Sequence, residues 1–115
     1  MLAAAFTAWL LRQPESVAPA AARDPLAQVR PFTSAPGYEL SPALSPDGQL
    51  LAFAEFLDAA NFSAIVVQGI DGAGRRRFDE DAGASDLRPR FSPDGRKRAF
   101  LRSAPERCEV RVRPV

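Results

Sequence analysis

Histidine is absent from the 115-residue chain, and cysteine, methionine, tryptophan and tyrosine occur once each. Without imidazole, Ser-His-Asp and Cys-His catalysis are excluded, together with every metal site that needs a histidine ligand. One thiol, Cys108, allows neither an intrachain disulfide nor a thiolate zinc site. The Gly-x-Ser-x-Gly elbow of an α/β-hydrolase is also lacking. Excess charge of either sign is missing: the formal net charge is +1, which gives no electrostatic case for binding nucleic acid. No apolar run reaches the ~20 residues that cross a bilayer, and the apolar start, Met1–Leu11, would make only ~16 Å of helix. The remaining composition, 46% hydrophobic and 25% charged, is that of a soluble globular chain.

What the chain does contain is a repeat. Pro42-Ala43-Leu44-Ser45-Pro46-Asp47-Gly48 returns 47 positions later as Pro89-Arg90-Phe91-Ser92-Pro93-Asp94-Gly95. Each copy continues into a segment ending in Ala-Phe, Leu50-Leu51-Ala52-Phe53 and Lys97-Arg98-Ala99-Phe100, and then into a β-branched stretch, Ala64–Val67 and Glu109–Val112. A partial third copy precedes the first: Val29-Arg30-Pro31-Phe32-Thr33 matches Arg75-Arg76-Arg77-Phe78-Asp79 at an offset of 46. Such a period signals copies of one supersecondary unit, none of which buries its apolar faces alone.

Turn chemistry sets the unit's outline. Proline presets φ in Ser-Pro-Asp-Gly, aspartate accepts hydrogen bonds from nearby N–H groups, and glycine takes the positive φ that closes the turn. Ser45, Pro46, Asp47, Gly48 and Ser92, Pro93, Asp94, Gly95 are therefore hairpin connectors, and Gly69-Ile70-Asp71-Gly72 supplies the next one. Expected strands are Arg30–Thr33, Pro42–Ser45, Leu50–Glu55, Ala64–Gln68, Arg75–Phe78, Arg88–Ser92, Arg96–Leu101 and Glu109–Val112. The fold class is all-β: antiparallel four-stranded propeller-blade repeats, about two of them, after an apolar N-terminal helix and a linker. The divisions are an apolar segment at 1–12, an Ala/Pro-rich linker at 13–28, and an incomplete propeller at 29–115, with repeats at about 29–78 and 79–115.

Over residues 29–115 the repeats resemble the WD-like blades of periplasmic TolB-type propellers, which carry Pro-x-x-Ser-Pro-Asp-Gly before an apolar strand ending in Ala-Phe. A narrower resemblance lies in Arg30-Pro31-Phe32-Thr33-Ser34-Ala35-Pro36-Gly37-Tyr38-Glu39 leading into Ser41–Gly48. That run is similar to the start of the propeller in membrane-anchored winged-helix transcription regulators of the CadC type. It implies a periplasmic location and a tether to the inner membrane. No residue of a winged helix is present, so DNA binding does not carry over. Met1–Leu11, with Trp9 near its end and Arg12 after it, reads as the tail of a truncated transmembrane helix, as a weak signal peptide lacking a basic n-region, or as an ordinary apolar segment.

Individual residues sharpen these expectations. The Asp79-Glu80-Asp81 loop with Asp86 could attract a hard cation, but its spacing is not that of an EF-hand loop and a solvated loop is the expectation. Asp47 and Asp94 are explained by turns rather than acid catalysis. Arg75-Arg76-Arg77 is expected on an outer strand, where charge discourages edge-to-edge pairing; a polyanion contact is the rival reading. Cys108 opens an expected strand and is assigned a buried apolar role. Arg98 stands where the first copy has Leu51, so it either snorkels to an edge or is exposed in an imperfect blade.

The function expected is a non-catalytic propeller fragment, without metal or cofactor, serving as a periplasmic sensing and protein-interaction module of a membrane-anchored transcription regulator. Its partners would be proteins, or further copies joined through unpaired blade edges, with membrane contact through residues 1–12 and no direct nucleic-acid binding. The chain ends at Val115, where a connector to a fourth strand of the second blade is expected, so weak stability or self-association follows. Alternatives are a secreted TolB-like scaffold, the propeller of a serine peptidase lacking its catalytic domain, and a truncated frame without function.

Overall fold

Each Ser-Pro-Asp-Gly segment closes a hairpin through the same bonds. The Gly48 N–H donates to the Ser45 carbonyl at 2.9 Å, as Gly95 does to Ser92. The aspartate then caps the turn: Gln49 N–H donates to Asp47 Oδ1 and Arg96 N–H to Asp94 Oδ1, both at 3.0 Å. Gly48 and Gly95 sit at φ of +70° and +71°, a region that costs a residue with a Cβ ~1–2 kcal/mol.

A computed structural model of the chain describes residue 27 and residues 29–56, 61–78 and 83–115. The apolar segment 1–12, the linker apart from residue 27, and Asp79, Glu80 and Asp81 lie outside the described residues. The chain divides into two compact units, Met1–Pro31 and Phe32–Val115, and the second holds every described strand.

The strands are β1 (Tyr38–Leu44), β2 (Leu50–Phe56), β3 (Ser63–Gly69), β4 (Arg76–Phe78), β5 (Ser85–Phe91), β6 (Lys97–Ala104) and β7 (Arg107–Pro114). All pairings are antiparallel, in a four-stranded sheet of order β1-β2-β3-β4 and a three-stranded sheet of order β5-β6-β7. No α-helix occurs among the described residues, and no described helix is long and apolar enough to cross a membrane.

Register fixes which side chains share a face. Ala52 pairs with Val67 and Ala54 with Ile65, while Ile65 in turn pairs with Phe78. This face of the first sheet meets Phe100 of the second, and Ala52, Ala54, Ile65, Val67 and Phe100 form a buried cluster flanked by Leu50, Phe78, Leu87, Phe91 and Val115. Alanines on β2 leave space for the Phe100 ring. Burial of Ile65, Val67 and Phe100 contributes roughly 1.5–3 kcal/mol each. Side-chain bonds join the sheets as well: the Ser63 hydroxyl donates to the Asp86 carbonyl at 2.8 Å.

Several expected strands need correction. Arg30–Thr33 is not a strand among the described residues, because nothing pairs with it there. β1 and β5 begin at Tyr38 and Ser85, earlier than Pro42 and Arg88, because each strand contains a bulge that lets it pass through its proline. The register shifts between Leu40 and Ala43 and between Leu87 and Arg90, and the residues before the prolines, Ser41 and Arg88, take φ of 55° and 54°. A bulge removes the proline from the regular ladder, where its missing N–H would cost a bond.

Candidate functional site

The two motif turns come together in space. A Cβ built on Gly95 would lie 3.7 Å from Pro46 Cδ, so the corresponding connectors of the two sheets are neighbours. Within each, the serine hydroxyl donates to the aspartate two residues on, Ser45 to Asp47 and Ser92 to Asp94, both at 2.5 Å. The same hydroxyl oxygens accept the N–H of Leu50 at 2.9 Å and of Lys97 at 3.0 Å, which starts the following strand. The serine hydroxyl first, and then the backbone N–H, hold the Asp47 and Asp94 carboxyls below the usual range. These aspartates act as hydrogen-bond acceptors that lock a turn.

Between the sheets lies a buried ionic layer. Asp86 and Arg102 are opposite one another in the β5–β6 register and are each 3% exposed. Arg102 Nε and Nη2 donate to Asp86 Oδ1 and Oδ2, both at 2.7 Å, in a bidentate pair. Both Asp86 oxygens are thereby engaged in an ion pair, and Asp79–Asp81 of the expected acidic loop lie outside the described residues. Among the described residues no group of three or more metal-ligating side chains occurs.

Arg98 is buried at 2% exposure, which corrects the expectation of an exposed or snorkelling side chain. Its guanidinium lies 3.6 Å from the Phe78 ring centroid and donates to the Pro114 carbonyl. Stacking on the ring and bonding to the backbone stand in for the water it loses.

On the opposite face of the first sheet, Glu55 is 1% exposed and bonded by two members of the basic run. Arg77 Nη1 donates to Glu55 Oε2 at 2.8 Å, and Arg75 Nη2 donates to Oε1. Arg76 lies over the Phe78 ring, 5.7 Å from its centroid. The run is therefore more than edge charge, since two of its three side chains neutralise a buried carboxylate. Glu55 and Arg102 occupy equivalent positions of the repeat, two residues after the Ala-Phe phenylalanine, and both are buried charges with partners. Aligning the two copies would have exposed this shared position.

Near Glu55, a cavity of about 190 Å³ is lined by Phe32, Thr33, Glu39, Pro42, Leu51 and Phe53. Thr33 Oγ1 donates to Glu39 Oε2. Desolvation, followed by the neighbouring Glu55 charge, raises the Glu39 carboxyl above its ordinary value, against an opposing pull from Arg75.

β7 forms the outer side of the second sheet. Among the described residues it pairs with β6 alone, and Val110 and Val112 are 72% and 54% exposed. Cys108 is exposed on the same face, correcting its expected burial. In the first sheet the equivalent face is covered by Phe100 and its neighbours, whereas no described layer covers it here.

No protein-family model matches the chain, and no curated protein matches it. Among solved structures it is similar to the crystal structure of TolB from Acinetobacter baumannii, with 26% sequence identity and a TM-score of 0.57, covering 72% of this chain. The chain spans 22% of the length of that structure. The fold is that of a TolB-like partial β-propeller.

Proposed function

We propose that the chain is a non-catalytic protein-interaction module working in the periplasm. The observation that carries this reading is the face of β7 in a TolB-like sheet, where Val110 and Val112 stand exposed among the described residues. Exposed apolar side chains clustered on a sheet face favour a protein partner that covers the valines. The turn aspartates support the non-catalytic part, since the serine hydroxyl and a backbone N–H both bond Oδ1 of each and hold it in the turn. The periplasmic part rests on the resemblance to TolB-type propellers.

Cys108 gives a direct test, being exposed and the chain's one thiol. A membrane-impermeant maleimide added to cells with a permeabilised outer membrane should label it as fully as in a native lysate. Labelling that appears only after lysis would place the chain inside the inner membrane and overturn the location. A photo-crosslinker at Val110 should trap protein partners at that face, and cross-linking to none would overturn the interaction role.

The finer reading is that the module belongs to a membrane-anchored transcription regulator and passes on a signal by binding a ligand more tightly in one conformation or assembly than in another. The run from Arg30 to Glu39 and the apolar residues 1–12 favour it. Sequencing the reading frame on both sides should find a winged helix and a completed span upstream, with further Ser-Pro-Asp-Gly repeats downstream; stop codons there would refute it.

A further inference from the structure

The two copies of the repeat differ at one pair of facing positions. Asp86 and Arg102 are opposite each other across β5 and β6, and their equivalents 47 residues earlier, Glu39 and Glu55, are opposite each other across β1 and β2. The second sheet therefore sets a carboxylate against a guanidinium. The first sets a carboxylate against a carboxylate, which is unfavourable across a strand pair. Arg75 and Arg77 bond both oxygens of Glu55. Glu39 has no such donor at Oε1: Thr33 Oγ1 bonds Oε2, while Oε1 is buried without a hydrogen-bond partner. A carboxylate oxygen in that position carries its desolvation cost in full.

Glu39 borders the cavity of about 190 Å³, whose other walls are the Phe32 and Phe53 rings, Thr33, Pro42 and Leu51. All of them come from the single stretch 32–53, so the cavity is made by the first two strands and the segment just ahead of them. Apolar walls around one acidic group disfavour an anion and give a neutral polar molecule few partners. They suit a flat, weakly hydrated cation that bonds the carboxylate through an N–H and lies against a ring. The chain treats its own buried cations in this way: Arg102 bonds the Asp86 carboxylate with its guanidinium 5.8 Å from the Phe100 ring centroid, and Arg98 stacks on Phe78. Phe32 belongs to no strand and is 42% exposed, so its ring can adjust over an incoming group at little cost.

We infer that this cavity binds an alkylguanidinium group, which donates an N–H to Glu39 Oε1 and rests its plane on Phe32 or Phe53. Such a group supplies to Glu39 what Arg102 supplies to Asp86. It can be carried by a small molecule or by an arginine side chain of a peptide. The site is separate from the β7 face and does not depend on the reading given to that face.

Binding requires the ionised carboxylate. Desolvation and then the Glu55 charge raise the Glu39 value, Arg75 opposes them, and Arg77 faces the same cluster through its bond to Glu55. Affinity should therefore fall as the pH drops through that raised value.

Titrating the isotope-labelled full chain with N-ethylguanidinium at constant ionic strength should give saturable shifts of the Thr33, Glu39 and Phe53 amide signals. N-ethylurea, of the same shape without the charge, should give none. Glu39→Gln removes a like-charge pair and should remain folded by circular dichroism, bind N-ethylguanidinium roughly 10- to 100-fold more weakly, and lose the pH dependence. A doubly capped arginine peptide that binds more tightly than N-ethylguanidinium would assign the group to a peptide side chain; weaker binding of the peptide would assign it to a small molecule. Equal binding of N-ethylurea, unchanged affinity in Glu39→Gln, or shifts that spread over both sheets without saturating would each overturn the inference.

Discussion

Replacing Asp86 by leucine should be among the most damaging single changes to this fold, and replacing Arg102 by methionine at the same time should reverse most of the damage. The carboxylate and the guanidinium face one another at 2.7 Å through two bonds, with side chains 5% and 4% exposed. Removing one partner leaves a buried charge, Arg102 beside the Phe100 ring or Asp86 on β5, at a cost of roughly 3–5 kcal/mol. A unit the size of Phe32–Val115 has a stability of roughly 4–13 kcal/mol, so either single change takes away a large fraction. The apolar pair removes both desolvation costs and should stand within about 1 kcal/mol of the parent. Urea denaturation followed by far-ultraviolet circular dichroism gives the four free energies of the cycle. The expected coupling is about 5 kcal/mol or more. Additive losses, or single-variant losses below about 1 kcal/mol, would show that the pair is hydrated and that the layer between the sheets is not a dry core.

Ser45→Ala should cost about 1 kcal/mol, since it deprives the Leu50 N–H and Asp47 of a buried hydroxyl, and urea midpoints will show it. Glu55→Gln should destabilise by roughly 1–3 kcal/mol by weakening the bonds from Arg75 and Arg77, with Arg77→Ala losing less than Glu55→Gln because Arg75 still bonds the carboxylate left behind. Acid should weaken the turns. Asp47 and Asp94 have folded-state pKa values below their unfolded values, so their contribution is complete above the ordinary aspartate range and disappears as pH falls through the folded values. Asp47→Asn/Asp94→Asn should therefore flatten the acid limb of a stability–pH curve. Glu39 works in the opposite sense: its raised value favours the protonated folded form, so stability is lost as pH rises from the unfolded through the folded value, and Glu39→Gln should remove that loss.

The repeat and its turns were legible because they depend on local chemistry. A proline that presets φ, an aspartate that caps and a glycine that turns left specify a hairpin within a few residues, and two copies at one period specify a layered all-β fold. Strand ends were less legible. Ser41-Pro42 and Arg88-Pro89 look like strand starts, yet they are bulges inside strands, because pairing with β2 and β6 on either side of the proline outweighs the local break.

Burial was decided by tertiary structure. Arg98 and Cys108 have opposite intrinsic preferences to the places they occupy: the arginine is covered because Phe78 and Pro114 receive it, and the cysteine is exposed because β7 lies at the rim of its sheet with no described layer over that face. Glu55 finds Arg75 and Arg77, and Asp86 finds Arg102, only once strands distant in sequence lie side by side. Sequence alone determined the unit, its turns and its period, because those follow from φ preferences and hydrogen bonds a few residues apart. Which charges are buried and which thiol is open depend on what lies across the sheet, and only the assembled layers decide that.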